Sequence, residues 1–529
     1  MSAITGTGLL VRHQLRRDRV LLSAWLLLLT LTVYASAAAT PGLYPDPEVR
    51  IATAQGWNAT PAVVALYGPI MDPASLGELS MTKMTVLYAA LVAVMALVVV
   101  RRHLRTEEES GRQELVAATA VGRYAPLGGT LVTLVLAAGA LGLLCALVNG
   151  VAGLPWQGSA LFGAAWAGTA LVFGAATALA CQLSASARTC GLAAGGAIAV
   201  AFAIRLAGDV TETWWSWLSP FGWNTRLLAW STHPRWWVLG LYVALFAALA
   251  LLASAAASRR DLGSGLVAER PGPARGPRGL GGVFGLAWRT QRAAFGTWLG
   301  AVAVLGTLFG AITPNLSGLL STPAARELIE RLGGTGFIED TMIAAVLGIM
   351  AVVISCSAVL VVSHAASHEL AGRTEVVLAA PVSRARQFAG VALPALGSVT
   401  VLLVVVGVAM GVGYAAAGGA GPADVARLSA AALAHVPATW LVTALVLLLS
   451  TVRVGWTWAG WVLVAAFETL GQFGELLQLP DGIRDLSPYA HTPRVPAEAW
   501  EAGPLLGLSV ATVLVLACAS WLHGRRDID

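Results

Sequence analysis

Apolar runs of about 20 residues recur along the whole chain. An α-helix rises about 1.5 Å per residue, so each run can cross the roughly 30 Å hydrocarbon layer of a membrane. Lipid cannot satisfy unpaired backbone groups, and spanning segments must therefore be helices or a closed barrel. The runs are continuous in Leu, Val and Ala and do not alternate with polar residues, which favours helices. The sequence predicts an all-α integral membrane protein.

The composition supports the same class. Of 529 residues, 57% are hydrophobic and 12% are charged, whereas a soluble domain averages about 25% charged residues. The five cysteines lie in or beside apolar runs, which is typical of small core residues and not of a disulfide or metal framework. The net charge of +5 does not indicate a nucleic-acid partner, because the basic residues are sorted by membrane side.

We place twelve transmembrane helices on the apolar runs. They are Val20–Ala39, Met84–Val100, Pro126–Asn149, Leu161–Leu183, Gly191–Ala207, Trp236–Ala255, Ala293–Ile312, Met342–Val362, Phe388–Ala416, Leu428–Leu449, Trp456–Leu470 and Pro504–Leu522.

The basic residues orient these spans. With a cytoplasmic N-terminus, 23 basic residues fall on the cytoplasmic side and 9 on the outer side. This excess follows the positive-inside rule and predicts that both termini are cytoplasmic. An alternative for the first span is a secretory signal peptide, because the small residues Ala35–Ala37 follow a basic start and an apolar run. The corresponding run Ala293–Ile312 opens the second half without any export role, which favours a retained span.

Two polar segments, residues 108–123 and 369–384, repeat one another. A shift of 261 residues superposes them, and eight of the sixteen positions are then identical. We call them the first and second polar segments. Their candidate functional residues are Glu108, Gly111, Arg112, Glu114 and Arg123 in the first segment, and Glu369, Gly372, Arg373, Glu375 and Arg384 in the second.

The repeat extends to the whole chain. "LSPFGWNTR" (Leu218–Arg226) is echoed by "LSPYAHTPR" (Leu486–Arg494), before the last span of each half. The chain is therefore predicted to be two parallel six-helix pseudo-repeats, related by an axis along the membrane normal. Residues 1–257 form the first half and residues 283–529 the second. Residues 258–282, rich in Gly, Pro and Arg, form a cytoplasmic linker.

Each polar segment is predicted to be a short interfacial helix with charged ends, suited to a groove of a partner protein. An ordinary positive-inside loop is the alternative, but membrane orientation does not require Glu-x-x-Gly-Arg-x-Glu twice.

With such a segment following the second span of each half, the chain resembles the permeases of ABC-2 type exporters. The fusion of two halves in one chain, with "SPF" and "SPY" before the last spans, resembles the bacterial "exporter of polyketide antibiotics" permeases. The resemblance implies that each segment is a coupling helix, which contacts an ATPase subunit. It also implies two copies of that subunit, with ATP and Mg bound there, in the bacterial cytoplasmic (inner) membrane. The two polar segments differ where the first has Val121-Gly122 and the second has Pro381-Val382-Ser383, and the sequence leaves open whether both engage the ATPase equally.

The chain itself is predicted to be no enzyme. A P-loop requires a lysine after glycines, and the only lysine is Lys83, in "MTKMT". We expect no catalytic residue and no cofactor here. His364 and His368 have the spacing of a metal-binding pair but no third ligand nearby, so no metal is expected.

Two charged residues fall within predicted spans, at Arg205 and Glu468. Charges in spans are costly and usually functional. Their spans correspond in the repeat, which makes them a candidate intramembrane pair along a transport pathway. Separate snorkelling of each side chain to the outer interface is the alternative.

The predicted function is that of a permease that moves hydrophobic or amphipathic, drug- or antibiotic-like compounds out of the cell, driven by ATP hydrolysed in separate subunits. A twelve-span ion-coupled secondary transporter is the main alternative, although such proteins usually carry several acidic residues at mid-membrane. A membrane-embedded enzyme or scaffold is a third class, for which no catalytic cluster stands out. The sequence leaves open the substrate, the route of entry and, beyond the resemblance, the direction.

Overall fold

A computed structural model of the chain describes residues 3–59, 61–267, 276, 282–319, 335–418, 421–472 and 480–526. These residues form helices and turns, with no strand among them. Eleven of the described helices are long and apolar enough to cross a membrane. The all-α, integral membrane class predicted from the apolar runs is confirmed.

The chain forms two compact units, Met1–Gly272 and Pro273–Asp529. Most of the predicted linker, residues 258–282, lies outside the described residues. The helices of the first unit are α1 (Thr7–Arg17), α2 (Arg19–Leu43), α3 (Pro47–Asn58), α4 (Pro61–Tyr67), α5 (Leu76–Glu109), α6 (Arg112–Ala117), α7 (Ala125–Val151), α8 (Trp156–Leu183), α9 (Ala187–Val210), α10 (Pro220–Arg226) and α11 (Val238–Ser258).

The second unit has a similar order of long and short helices. They are α12 (Val283–Leu319), α13 (Thr335–Leu370), α14 (Arg373–Leu378), α15 (Arg384–Ala416), α16 (Pro422–Leu433), α17 (Val436–Val452), α18 (Ala459–Gln472), α19 (Asp481–Arg484) and α20 (Ala502–Arg525).

One predicted span begins with a turn in the structure. Trp456–Leu470 falls on a 3-10 turn, Val454–Trp458, followed by α18, whose described residues are Ala459–Gln472. These 14 described residues rise about 21 Å, less than the roughly 30 Å hydrocarbon thickness. The next residues, 473–479, lie outside the described part of the chain, and a twelfth span stays a prediction.

The predicted span Leu428–Leu449 is interrupted. It falls on the end of α16 and on α17, which begins at Val436 with Pro437 in its first turn. Proline lacks an amide hydrogen and its ring clashes with the carbonyl four residues earlier, so the helix restarts here. The hydropathy of the run does not predict this break, because apolar residues continue on both sides of Pro437.

The first span is part of the core of its unit. Leu29, Val33 and Ala37 of α2 are fully buried, in one cluster with residues of α5 and α7. The break before it lies at Asp18, which separates α1 from α2, whereas α12 continues for 37 residues. The retention of this span stays a prediction.

Small residues bring α7 and α8 together. A Cβ placed on Gly163 would lie 2.1 Å from the carbonyl oxygen of Gly142, and one on Gly142 would lie 2.6 Å from the carbonyl oxygen of Gly163. Real Cβ atoms do not approach a carbonyl so closely, so the crossing requires glycine on both helices.

We expect Gly142→Ala to destabilise the first unit by about 1–3 kcal/mol, because the added methyl must push α8 away. Gly139→Ala is the matched control in the same helix, where a Cβ would meet no atom within 4 Å. That change should be neutral or stabilising by about 0.5–1 kcal/mol, since alanine favours a helix over glycine. Thermal unfolding in detergent measures both, and equal shifts for the two variants would contradict the close crossing.

Candidate functional site

The two polar segments form matching surface helices, α6 and α14. Each begins after a glycine in the left-handed conformation, with φ of 73° at Gly111 and 68° at Gly372. This conformation costs an L-residue about 1–2 kcal/mol. The glycine turns the chain sharply at the end of the preceding long helix, and it therefore has the same conformational role in both copies.

Both short helices present an apolar side chain outward. Leu115 and Val376, which occupy the same position of the repeat, are each 74% exposed. Glu114 and Glu375 precede them and are also exposed. The exposed face of each helix thus combines one apolar residue with a carboxylate.

Arg112 and Arg373 complete the exposed face of the two short helices, since both are exposed. The Arg112 guanidinium reaches Glu107 at 3.5 Å, and Arg373 lies 3.1 Å from the Nδ1 atom of His368. Both arginines therefore remain close to the helix that precedes the segment.

Glu108 faces inward, in contrast to Glu114. Its carboxylate accepts hydrogen bonds from Arg260 at 2.5 and 3.0 Å and from the Gly263 amide at 2.6 Å. Arg260 also donates to the side chain of Gln182, near the end of α8, at 2.7 Å. We call Glu108, Arg260 and Gln182 the first clamp. It ties the start of the first polar segment to the ends of α8 and α11.

Glu369 has the equivalent position in the second unit. Its carboxylate accepts two hydrogen bonds from Arg526, at 2.5 and 2.6 Å. Arg526 also donates to the carbonyl oxygen of Ser450, near the end of α17, at 3.1 Å. We call Glu369, Arg526 and Ser450 the second clamp. It ties the second polar segment to the ends of α17 and α20.

The arginine that closes each segment binds the same helix end as the clamp. Arg123 donates to the carbonyl oxygens of Ser258, at 2.9 Å, and Arg260, at 3.2 Å. Arg384 donates to the carbonyl oxygens of Gly524, at 3.3 Å, and Arg526, at 2.5 Å. Carbonyls at a helix C-terminus lack intrahelical donors, so a guanidinium is a favourable cap.

The ten predicted residues therefore divide by role. Glu108, Glu369, Arg123 and Arg384 hold each segment to its own unit, and the remaining ones turn the chain or lie on the surface. Sequence reasoning missed Arg260 and Arg526, which look like ordinary basic residues at the ends of spans. Their positions in the sequence could have identified them, because each arginine lies one or two residues after the last long helix of its unit.

The N-terminal helix is attached by charges to the end of α5, directly before the first polar segment. Asp18, fully buried between α1 and α2, contacts Arg102 at 2.9 Å and His103 at 2.7 Å, and Arg17 forms an ion pair with Glu107. Burial alone would raise the pKa of Asp18, but the hydrogen bond and charge of His103, with the charges of Arg102 and Arg17, hold that pKa below its ordinary value.

The difference between the segments at Gly122 has a structural reason. The amide of Gly122 donates to the carbonyl oxygen of Thr5 at 2.9 Å, and a Cβ there would lie 2.4 Å from the carbonyl of Ala3. In the second segment, the Ser383 hydroxyl accepts from the Arg386 amide at 3.2 Å and caps α15. The first segment thus makes room for the N-terminal residues of the chain.

Arg205 lies in a polar cluster near the end of α9 and is fully buried. It forms an ion pair with Asp209 at 3.4 Å and donates to the carbonyl oxygen of Val64 at 3.2 Å. Asp209 also accepts from the Ser216 hydroxyl at 2.6 Å. Sequence reasoning named Arg205 but missed Asp209, although the spacing of four residues was a readable signal.

Glu468, the other member of the candidate intramembrane pair, lies on α18. It is half-buried, and its Oε2 atom has no hydrogen-bond partner among the described residues. Arg205 and Glu468 belong to different units, and their pairing stays a prediction.

The two "LSP" motifs make the same contact. The Ser219 hydroxyl donates to the carbonyl oxygen of Ala201 in α9 at 2.7 Å. The Ser487 hydroxyl donates to the carbonyl oxygen of Phe467 in α18, also at 2.7 Å. Both serines are fully buried. Each motif therefore attaches the chain before the last long helix of its unit to an earlier helix, α9 in the first unit and α18 in the second.

The eleven long apolar helices among the described residues define a multi-pass membrane protein. The chain is 36% identical, over 534 residues, to the "Multidrug efflux system permease protein Rv1217c" of Mycobacterium tuberculosis (strain ATCC 25618 / H37Rv), a match that covers 100% of this chain and 96% of that protein. Residues 280–523 match the family model "Multidrug efflux system permease Rv1217c, C-terminal domain". The chain belongs to this family of multidrug efflux system permeases, and the resemblance to ABC-2 type exporter permeases is confirmed.

Proposed function

We propose that the chain is the permease subunit of an ATP-driven exporter that moves hydrophobic or amphipathic compounds out of the cell. The observation that carries this proposal is the pair of matching surface helices, α6 and α14. Each starts at a left-handed glycine and exposes an apolar side chain at the same position. A permease that takes its energy from two copies of another protein needs two such surfaces.

The proposal includes the finer architecture. Twelve spans form two parallel six-span halves in the bacterial cytoplasmic membrane, with both termini and both polar segments on the cytoplasmic side. The asymmetry of basic residues favours this orientation, and the equivalent contacts of Ser219 and Ser487 favour the parallel repeat.

The energy source lies in the partner. Lys83 is the only lysine of the chain, and its surroundings are not those of a P-loop. Two copies of a nucleotide-binding subunit would therefore supply the P-loop, ATP and Mg. Their closure would move α6 and α14, and the membrane helices would follow. The name of the Mycobacterium tuberculosis relative, a multidrug efflux system permease, favours drug-like substrates.

Purification of the chain from its native membrane tests the proposal. We expect a Walker-type ATPase to co-purify, at two copies per chain, and the reconstituted complex to export a lipophilic dye only when ATP is present. Depleting ATP while a proton gradient is kept should stop export. Export that persists under that condition, with no ATPase bound, would establish the ion-coupled secondary transporter instead.

A further inference from the structure

We propose that Arg260 and Arg526 are positioning residues that transmit movement of the short helices to the membrane helices, and that the second clamp opens more easily than the first. This inference rests on the proposed function. It assigns a mechanical role to two arginines that lie outside both polar segments, and it makes the two halves of the permease unequal.

Each clamp has the contacts that such a role requires. One carboxylate at the start of the polar segment is bound by an arginine that follows the last long helix of the unit. The same arginine also binds the end of a second membrane helix, α8 through Gln182 in the first unit and α17 through Ser450 in the second. Charge-assisted bonds to two acceptors fix the guanidinium in direction as well as distance. A short helix that moves must therefore pull two membrane helices with it.

In the first clamp, a second arginine also pairs with the carboxylate. Arg105 lies 3.0 Å from Glu108, and the side chains of both are almost completely buried, at 1% and 2% exposure. Arg105 also donates to the carbonyl oxygens of Cys181, at 2.8 Å, and Ser264, at 2.9 Å. Glu108 therefore keeps a cationic partner even when Arg260 is removed.

The second clamp has a cavity at the equivalent place. Ala366 takes the position of Arg105 in the repeat and lines a cavity of about 30 Å³ together with Glu369 and Arg526. His523 and Gln387 also line it, and one polar atom of each has no hydrogen-bond partner among the described residues. A polar space of this size has room for one or two water molecules.

Water next to an ion pair weakens the attraction between the two charges, and it can form hydrogen bonds with each charged group when the pair separates. Glu369 and Arg526 are also more exposed than the first pair, with side chains at 10% and 17% against 2% for Glu108 and 10% for Arg260. The described residues give Glu369 one cationic partner, Arg526. Loss of that partner should therefore remove the ion pair at the start of the second segment, although Arg384 still holds the end of that segment, whereas loss of Arg260 leaves Glu108 paired with Arg105.

The test uses the complete permease with its ATPase in proteoliposomes. Arg260→Gln and Arg526→Gln remove the clamp arginines. Arg259→Gln and Arg525→Gln are matched controls, because these neighbouring arginines are exposed and outside the clamps. Three quantities are measured for each variant: ATPase subunits retained, ATP hydrolysed and dye exported per ATP.

We expect R526Q to lower export per ATP about tenfold and R260Q about threefold, while ATPase retention and hydrolysis stay within about twofold of the controls. The double exchange E369R/R526E restores the ion pair with its charges reversed, and it should recover a large part of the export lost in R526Q. This recovery separates a clamp from a general loss of folding.

Three outcomes would overturn the inference. Export per ATP in R260Q and R526Q could equal that of the controls, or hydrolysis and retention could fall in parallel with export, as a merely structural role requires. An R260Q effect as large as that of R526Q would contradict the inequality. If wild-type permease retains no ATPase or exports without ATP, the proposed function fails and the inference fails with it, so the two failures are distinguishable.

Discussion

Asp209→Asn is expected to destabilise the first unit by about 3–5 kcal/mol, the usual cost of leaving one member of a buried ion pair without its partner. Arg205 and Asp209 are both 0% exposed at the side chain. The asparagine keeps the shape and can still accept from Ser216, but it no longer compensates the buried guanidinium. Thermal unfolding of the purified chain in detergent measures the loss.

The double variant R205M/D209N should recover most of that stability. Methionine fills the space of the arginine beside Phe202, whose ring centroid lies 4.5 Å from the guanidinium carbon, and it removes the fully buried charge. Arg226, which lies 3.7 Å from Asp209, is partly exposed and stays in contact with solvent. Glu212→Gln, an exposed carboxylate three residues later, is the control and should change stability by less than about 0.5 kcal/mol. A single variant as stable as this control would contradict the buried pair.

Leu115→Glu combined with Val376→Glu is expected to abolish ATP-driven export. Burying a Leu or Val side chain contributes about 1.5–3 kcal/mol, and a glutamate at the same place adds the cost of desolvating a charge. Association with the ATPase should therefore weaken more than about tenfold at each helix. The measurement is the amount of ATPase that co-purifies with the permease, followed by export in proteoliposomes.

The stability of the permease itself should not change in this double variant, because both side chains are 74% exposed. Leu262→Glu is the control, as it places the same charge on an exposed leucine after α11. Full ATPase binding by the double variant would exclude Leu115 and Val376 from the interface. A fall in binding with L262E as well would indicate a general effect of negative charge.

The long helices could be predicted from the sequence because lipid allows few alternatives. The run predicted at Pro126–Asn149 forms α7, Ala125–Val151, and the run predicted at Gly191–Ala207 forms α9, Ala187–Val210. The length and hydropathy of an apolar run are enough to predict such a helix without its tertiary contacts. Their ends extend a few residues further, since helices continue into the interface until a turn residue stops them.

The breaks and short elements were harder to predict. The restart of the helix at Pro437 was visible as a proline, but prolines also occur inside membrane helices here, at Pro41 and Pro394. Whether a proline interrupts a helix depends on which neighbours satisfy the freed carbonyl. That is a property of tertiary packing and not of the local sequence.

The polar segments were recognisable because they repeat, but the partners of their residues were not. Glu108 and Glu114 have the same residue type within one motif, and only the fold makes one inward and the other exposed. The partners Arg260 and Arg526 are more than 150 positions away along the chain. Contacts of this separation have no periodic signature in a single sequence.

Site-specific photo-crosslinking of the working complex tests the central claim most directly. A photoreactive amino acid placed at position 115 or 376 should form a covalent adduct with the subunit that carries the Walker motifs. The same group at the exposed Leu136 of α7 should not. The absence of adducts at both positions, in a complex that retains its ATPase and exports with ATP, would contradict the claim that the ATPase subunits act on the permease through α6 and α14.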